Sequence, residues 1–171
     1  MKRAAYVLAI GAALACAGCP RAARPDDRQL PAALAALNLP AVGPTPFQPG
    51  SLRGKVVLVS FFATWCFPCL ADLPVLEKLQ KDNAARGFTV VAVGLDLEGA
   101  KVLEPWAAQY ALPFPVLVGG DELRGGETAF GRIAALPTTF LFGRDGTVLY
   151  AYQGVAAPER LLAVVGDAVR R

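Results

Sequence analysis

Phe61-Phe62-Ala63-Thr64-Trp65-Cys66-Phe67-Pro68-Cys69-Leu70-Ala71-Asp72-Leu73-Pro74 is the stretch that decides the fold. Ahead of it, Lys55-Val56-Val57-Leu58-Val59-Ser60 is a short apolar, β-branched run, the pattern of a buried strand. Beyond Trp65 the period changes: Leu70, Leu73, Leu76 and Leu79 recur every three residues, as on one apolar helix face. The two cysteines therefore sit where a strand hands over to a helix, with Cys66 at or before the first turn. The unpaired N–H groups and positive dipole end of a helix favour a thiolate there, lowering a cysteine pKa from ~8.5 into the range ~3.5–7.5.

Length and composition narrow the chemistry. The 171 residues suffice for one domain and a modest appendage. The formal charge of +3 includes Lys2 and Arg3; without them 15 basic residues face 14 acidic ones, so no nucleic-acid patch is expected. Histidine is absent, which excludes a Cys–His nucleophile, a Ser–His hydrolase and any His-containing metal site.

The N-terminus has the form of an export signal: Met1-Lys2-Arg3 is a basic n-region and Ala4 to Ala15 an apolar run of h-region length. That run is shorter than the ~20 residues of a transmembrane helix. Cys16-Ala17-Gly18-Cys19 follows, and Ala-Gly-Cys resembles the end of a bacterial lipobox, which makes Cys19 the expected lipidated residue. Cys16 stands where that motif usually has Leu. Conventional cleavage near Ala17 or Gly18 and an uncleaved signal-anchor are the alternatives. Cys16-x-x-Cys19 with Cys66-x-x-Cys69 also spells a four-cysteine zinc pattern, but the first pair closes an export segment, and no metal or other cofactor is expected. In an exported chain disulfides persist, and a pair three residues apart closes too small a loop to staple much; it reads as a redox couple.

Seven of the 14 prolines fall within residues 20–49, so that stretch reads as an extended tether with one loose helical turn between Leu30 and Leu39. The expected organisation is an export signal over 1–18, a tether over 19–46 and one domain over 47–171. Within the domain the strand at 56–61 leads to a helix ending near Arg86, kinked at Pro74 and stopped by Gly87. A second strand covers 88–95. A helix over 99–110 turns Val102, Leu103, Trp106 and Tyr110 to the core, followed by a strand at 116–118. Asp121 to Arg132 is a loop with a short helix. Residues 138–142 and 147–153 form a hairpin around Asp145-Gly146, and Pro158 opens a last helix. The fold class is α/β: a central mixed sheet with parallel strands and a C-terminal antiparallel hairpin, helices on both faces. Asp96 reads as a turn or cap residue, Lys55 as solvated, and Trp106 with Phe61 and Phe62 as core.

Trp65-Cys66-Phe67-Pro68-Cys69, joined to Leu136-Pro137-Thr138-Thr139-Phe140 and the helix proline Pro74, resembles a thioredoxin-fold domain. It is most similar to the TlpA/ResA-like exported thiol–disulfide oxidoreductases. The resemblance implies that Cys66 is an exposed nucleophile, Cys69 the buried resolving cysteine and the two a redox-active disulfide. It further implies that Trp65 and Pro68 shape the loop, that Pro137 is cis, and that the backbone of Leu136 pairs with an extended substrate segment. Two positions depart from the family pattern. Thioredoxin has a buried Asp six residues before the first cysteine, where Ser60 stands here. The ResA-like pattern has Glu three residues after the second cysteine; here Asp72 takes that place as the candidate base for Cys69, or as a carboxylate that simply stabilises the helix start.

The function implied is an exported oxidoreductase acting on client proteins that bear thiols or disulfides, fed by a membrane electron donor of the thiol-reducing type. It would be held at the extracytoplasmic membrane face by a lipid on Cys19 and work as a monomer. In that family the common task is reduction of apocytochrome c or of a copper-site protein. A disulfide-introducing oxidant and a non-enzymatic binding module or copper chaperone are the alternatives, and the direction of exchange depends on a potential that Phe67-Pro68 alone does not fix.

Overall fold

The computed structural model describes residues 30–171. The expected export signal over 1–18 and Cys19 lie outside the described residues. Six strands, β1 (Ala41–Val42), β2 (Val56–Phe62), β3 (Phe88–Gly94), β4 (Val116–Val118), β5 (Thr138–Phe142) and β6 (Val148–Gln153), form one sheet in the order β1-β4-β3-β2-β5-β6. Five α-helices accompany them: α1 (Ala32–Ala35), α2 (Phe67–Asn83), α3 (Ala100–Tyr110), α4 (Asp121–Gly125) and α5 (Pro158–Arg170).

All seven residues of β2 are buried, because it pairs on both sides: parallel to β3, with Val56 opposite Phe88, and antiparallel to β5, with Val57 opposite Phe142. The units β2-α2-β3 and β3-α3-β4 step across the sheet in the same direction. Right-handed crossovers then place α2 and α3 on one face. The helix α5 returns to that face, so Leu73, Leu76 and Leu79 of α2, Leu103 of α3 and Val165 of α5 share one core with Leu58 and Val90. The other face, built on Val57, Val59, Phe61, Val91 and Val93, is covered by Leu34 of α1, Leu52, Leu123 of α4 and Phe130. Helices thus lie on both faces, with the three long ones on the same side.

The helix α2 runs through Pro74, whose ring nitrogen donates nothing to the Leu70 carbonyl. After one 3₁₀ turn (Ala84–Arg86) the chain reverses at Gly87, whose φ of +73° suits a residue without Cβ. In α3 the buried residues are Leu103 and Ala107. Trp106 is half-buried against Phe62, and Tyr110, expected in the core, is 41% exposed at the helix end, where its ring stacks on Trp106 at 4.6 Å.

The described part of the expected tether, residues 30–46, differs from that expectation. Leu34 and Leu37 are 2% and 0% exposed, and they fill a face that the long helices leave open. Val42 pairs with Val116 across β1 and β4, and Val118 N–H donates to the Pro40 carbonyl at 2.8 Å. Pro31 lies against Gly146 in the β5–β6 turn, where φ is +76° and any Cβ would collide with the proline ring. The prolines keep this segment from forming long elements, yet its few leucines are core residues. The folded body therefore begins well before Phe47.

Candidate functional site

The site is the seam between β2 and α2. After Phe62 the chain makes a tight turn in which Cys66 N–H donates to the Ala63 carbonyl at 3.0 Å. Thr64 in that turn is tied to Asp96, just beyond the end of β3. Its N–H donates to both carboxylate oxygens at 3.1 Å and its hydroxyl to Oδ1 at 2.6 Å. Cys66 then occupies the cap position of α2 with extended backbone, Pro68 follows in the first turn, and Leu70 N–H donates to the Cys66 carbonyl at 3.1 Å. Proline suits that turn because its missing N–H has no helical partner to lose.

Cys66 and Cys69 are joined by a disulfide, with Cα atoms 5.3 Å apart. Cys69 N–H also donates to Cys66 Sγ at 3.3 Å, so an amide of the helix's first turn is aimed at the sulfur that would carry negative charge after reduction. Against the expectation of an exposed Cys66, both cysteines are enclosed, at 5% and 4% exposure. Trp65 and Phe67 on either side of Cys66 carry the exposure instead, at 68% and 83%. The difference between the sulfurs is where they face. Cys66 lines an open groove of about 520 Å³ with Trp65, Phe67, Pro68 and Leu136, and Cys69 is not part of its wall. Ile133, Ala134, Ala135, Leu95 and Arg124 complete the wall.

The Leu136–Pro137 peptide is cis, and it lies just before β5, whose Thr138 pairs with Phe61 next to the cysteine loop. Leu136 borders the groove and Pro137 is buried behind it. Asp72 stands one helical turn after Cys69, on the same side of α2. It is half-buried, and the loss of water around it pushes its carboxyl from 3.8 up to about 6. Ser60, in the position of thioredoxin's buried Asp, is 5% exposed in the middle of β2. Among the described residues no group of three or more Cys, Asp or Glu side chains gathers to hold a metal ion, and Cys16 and Cys19 lie outside them.

Two participants escape the sequence pattern. Asp96 reads as a turn residue but is fully buried and holds the cysteine loop. Arg124 comes from the short helix α4 and borders the groove, with Nη1 donating to the carbonyls of Leu95, Asp96 and Gly119. The signal that could find them is topological: both stand just past the carboxyl ends of parallel strands, where α/β folds gather their functional side chains.

The Redoxin family model matches residues 23–165. The thiol-disulfide oxidoreductase ResA of Oceanobacillus iheyensis is 32% identical over 121 residues, which is 70% of this chain and 60% of its own length. The thioredoxin-like protein YneN of Bacillus subtilis is 32% identical over 111 residues, 64% of this chain and 62% of its own. The chain thus spans about 60% of the length of these curated relatives. A solved thiol:disulfide interchange protein of the thioredoxin family from Chlorobium tepidum superposes with a TM-score of 0.59 at 29% identity, over 77% of this chain and 94% of its own. The fold is thioredoxin-like, and the relatives fall in the branch that the cysteine and proline motifs resemble.

Proposed function

Because the chain belongs to the Redoxin family, we propose that it is an exported thiol–disulfide oxidoreductase that reduces disulfides in client proteins through Cys66 and Cys69. The observation that carries this reading is the placement of the sulfurs: a bonded pair at the head of α2, with Cys66 alone lining an open groove. In the reduced protein the Cys66 thiolate attacks one sulfur of a client disulfide. A Cys66–client disulfide forms and the other client sulfur leaves as a thiolate. The Cys69 thiol then loses its proton and attacks Cys66 Sγ, which restores the Cys66–Cys69 disulfide and releases the second client thiolate. Two electrons pass to the client, whose two thiolates take up protons. A dithiol electron donor in the membrane returns the pair to its reduced form.

Asp72, raised towards neutrality and one turn from Cys69, is the base assigned to the second step. Trp65, Phe67, Pro68 and Leu136 form the surface against which an extended client segment lies, with the Leu136 backbone as its pairing edge. Export and attachment through Cys19 belong to the same reading, since a reducing pair has clients where disulfides form. No described helix is long and apolar enough to cross a membrane.

Insulin reduction is the direct test. The native protein is expected to accelerate precipitation of the insulin B chain, Cys66→Ser to abolish it, and Cys69→Ser to accumulate mixed disulfides whose partners identify the clients. Undiminished turnover by Cys66→Ser rejects the assignment.

A further inference from the structure

The buried carboxylate of Asp96 takes no part in the exchange just described, and its position gives it another task. It is 0% exposed, and both of its oxygens accept hydrogen bonds from Thr64, two residues ahead of Cys66. Its own backbone is fixed from three sides. Gly99 N–H donates to its carbonyl at 3.1 Å, Arg124 Nη1 reaches the same carbonyl at 3.3 Å, and the preceding Leu95 N–H donates to Phe62 at 2.8 Å. Thr64 in turn lies inside the turn closed by Cys66 N–H and the Ala63 carbonyl.

We infer that Asp96 is a positioning residue: through Thr64 it holds the 63–66 turn so that Cys66 Sγ stays in line with the Cys69 amide at the start of α2, and so sets the reactivity of a sulfur it does not touch. The physical basis is that a thiolate gains from a helix terminus only while it lies within the first turn and on the amide's line. A short turn without an anchor samples other arrangements, and each of them weakens that alignment. A charge-assisted hydrogen bond to a buried carboxylate is a strong anchor, since it is shorter and stronger than a neutral one and is shielded from water. The inference rests on Cys66 being the reacting sulfur, but not on which client or direction of exchange it serves.

The test is the pH dependence of Cys66 alkylation by iodoacetamide in the fully reduced protein, located by mass spectrometry. The variants are Thr64→Val, which removes only the hydroxyl donor, Thr64→Ser, which restores it, and Asp96→Asn, which keeps an acceptor and removes the charge. Thr64→Val is expected to slow alkylation at neutral pH by about three- to tenfold, the result of a thiol pKa higher by about 0.5–1, while its melting temperature stays near native. Thr64→Ser is expected to recover the native rate. Equal rates in Thr64→Val and native protein overturn the inference. So does faster alkylation in Asp96→Asn, because that would make the carboxylate a repelling charge instead of an anchor. If Asp96→Asn fails to fold, the two Thr64 variants still decide. Insulin reduction by Cys66→Ser would reject the assignment of Cys66 and this inference with it, whereas equal alkylation rates reject the inference alone.

Discussion

Replacing Asp72 by Asn examines the carboxyl through stability and through kinetics, and the two have different signs. In the folded, oxidised protein this group is raised by burial from 3.8 to about 6. A carboxyl that binds its proton more tightly when folded adds no penalty below about pH 4, where it is protonated in both states. As the pH climbs through the window from about 4 to about 6 the unfolded chain ionises first, and stability falls to a plateau above it. A displacement of that size corresponds to about 3 kcal/mol at face value, but the side chain is half in water and the effect is screened to about 1 kcal/mol. Asp72→Asn is therefore expected to melt about 2–4 °C higher than the native protein at pH 8 and level with it at pH 4.

The kinetic effect runs the other way. With a pKa of about 6 the group is about nine-tenths ionised at pH 7 and about one-tenth at pH 5, so it can take the Cys69 proton at neutral pH and fails to do so in acid. Loading Cys66 with thionitrobenzoate isolates the resolving step, because only attack by Cys69 releases the chromophore. The native release rate is expected to fall with a limb near pH 6. In Asp72→Asn that limb disappears and the rate at pH 7 drops by about 10²-fold. A variant that keeps the limb would show that another group takes the proton. A variant that melts no higher at pH 8 would show that the carboxylate sheds little water on folding.

Three further outcomes follow from the packing. Leu37→Ala removes a fully buried side chain from the segment with the proline-rich pattern, so it is expected to cost about 2–5 kcal/mol in denaturant titration. An unchanged midpoint would detach that segment from the cooperative unit. Arg144 in the hairpin turn donates to the carbonyls of Gly54, Arg86 and Val169, in three separate segments of the chain, and Arg144→Met is expected to cost about 1–2 kcal/mol in thermal unfolding without altering insulin reduction at permissive temperature. Phe67→Ala removes an 83% exposed ring from the groove mouth; an unchanged melting temperature with a several-fold higher KM for a disulfide peptide is expected, and an unchanged KM would remove Phe67 from the docking surface.

The legible parts of this chain are those where local chemistry and tertiary packing agree. The β2 run is apolar at every position but Ser60 because it is a central strand, and the spacing from Leu70 to Leu79 follows the helix face that meets it. Asp145-Gly146 forms its turn from its own atoms, with Thr147 N–H and hydroxyl both donating to the Asp145 carboxylate. Residues 30–46 depart from the expected tether for the opposite reason. Proline content describes what a segment does alone, whereas Leu34, Leu37 and Val42 are ordered by a sheet face and an edge strand far away in sequence. Asp96 is hidden in the same way. Its partner Thr64 lies 32 residues upstream, and only the parallel pairing of β2 with β3 brings the two strand ends together.

The absence of histidine gives the carboxylates unusual weight. Proton transfer near neutral pH needs a group whose pKa lies there, and a chain without imidazole must obtain one by shifting another side chain. Two described carboxyls are displaced, in opposite directions and for opposite causes. Asp145 is lowered by the hydrogen bonds of Thr147, which hold it charged at the end of the sheet far from the cysteines. Asp72 is raised because part of its water is removed, with burial as its largest cause. The first arrangement stabilises a turn, while the second costs stability at neutral pH. Under the proposed exchange that cost has a use: a carboxyl one helical turn from Cys69 and raised to about 6 is suited to take the resolving thiol's proton near neutral pH.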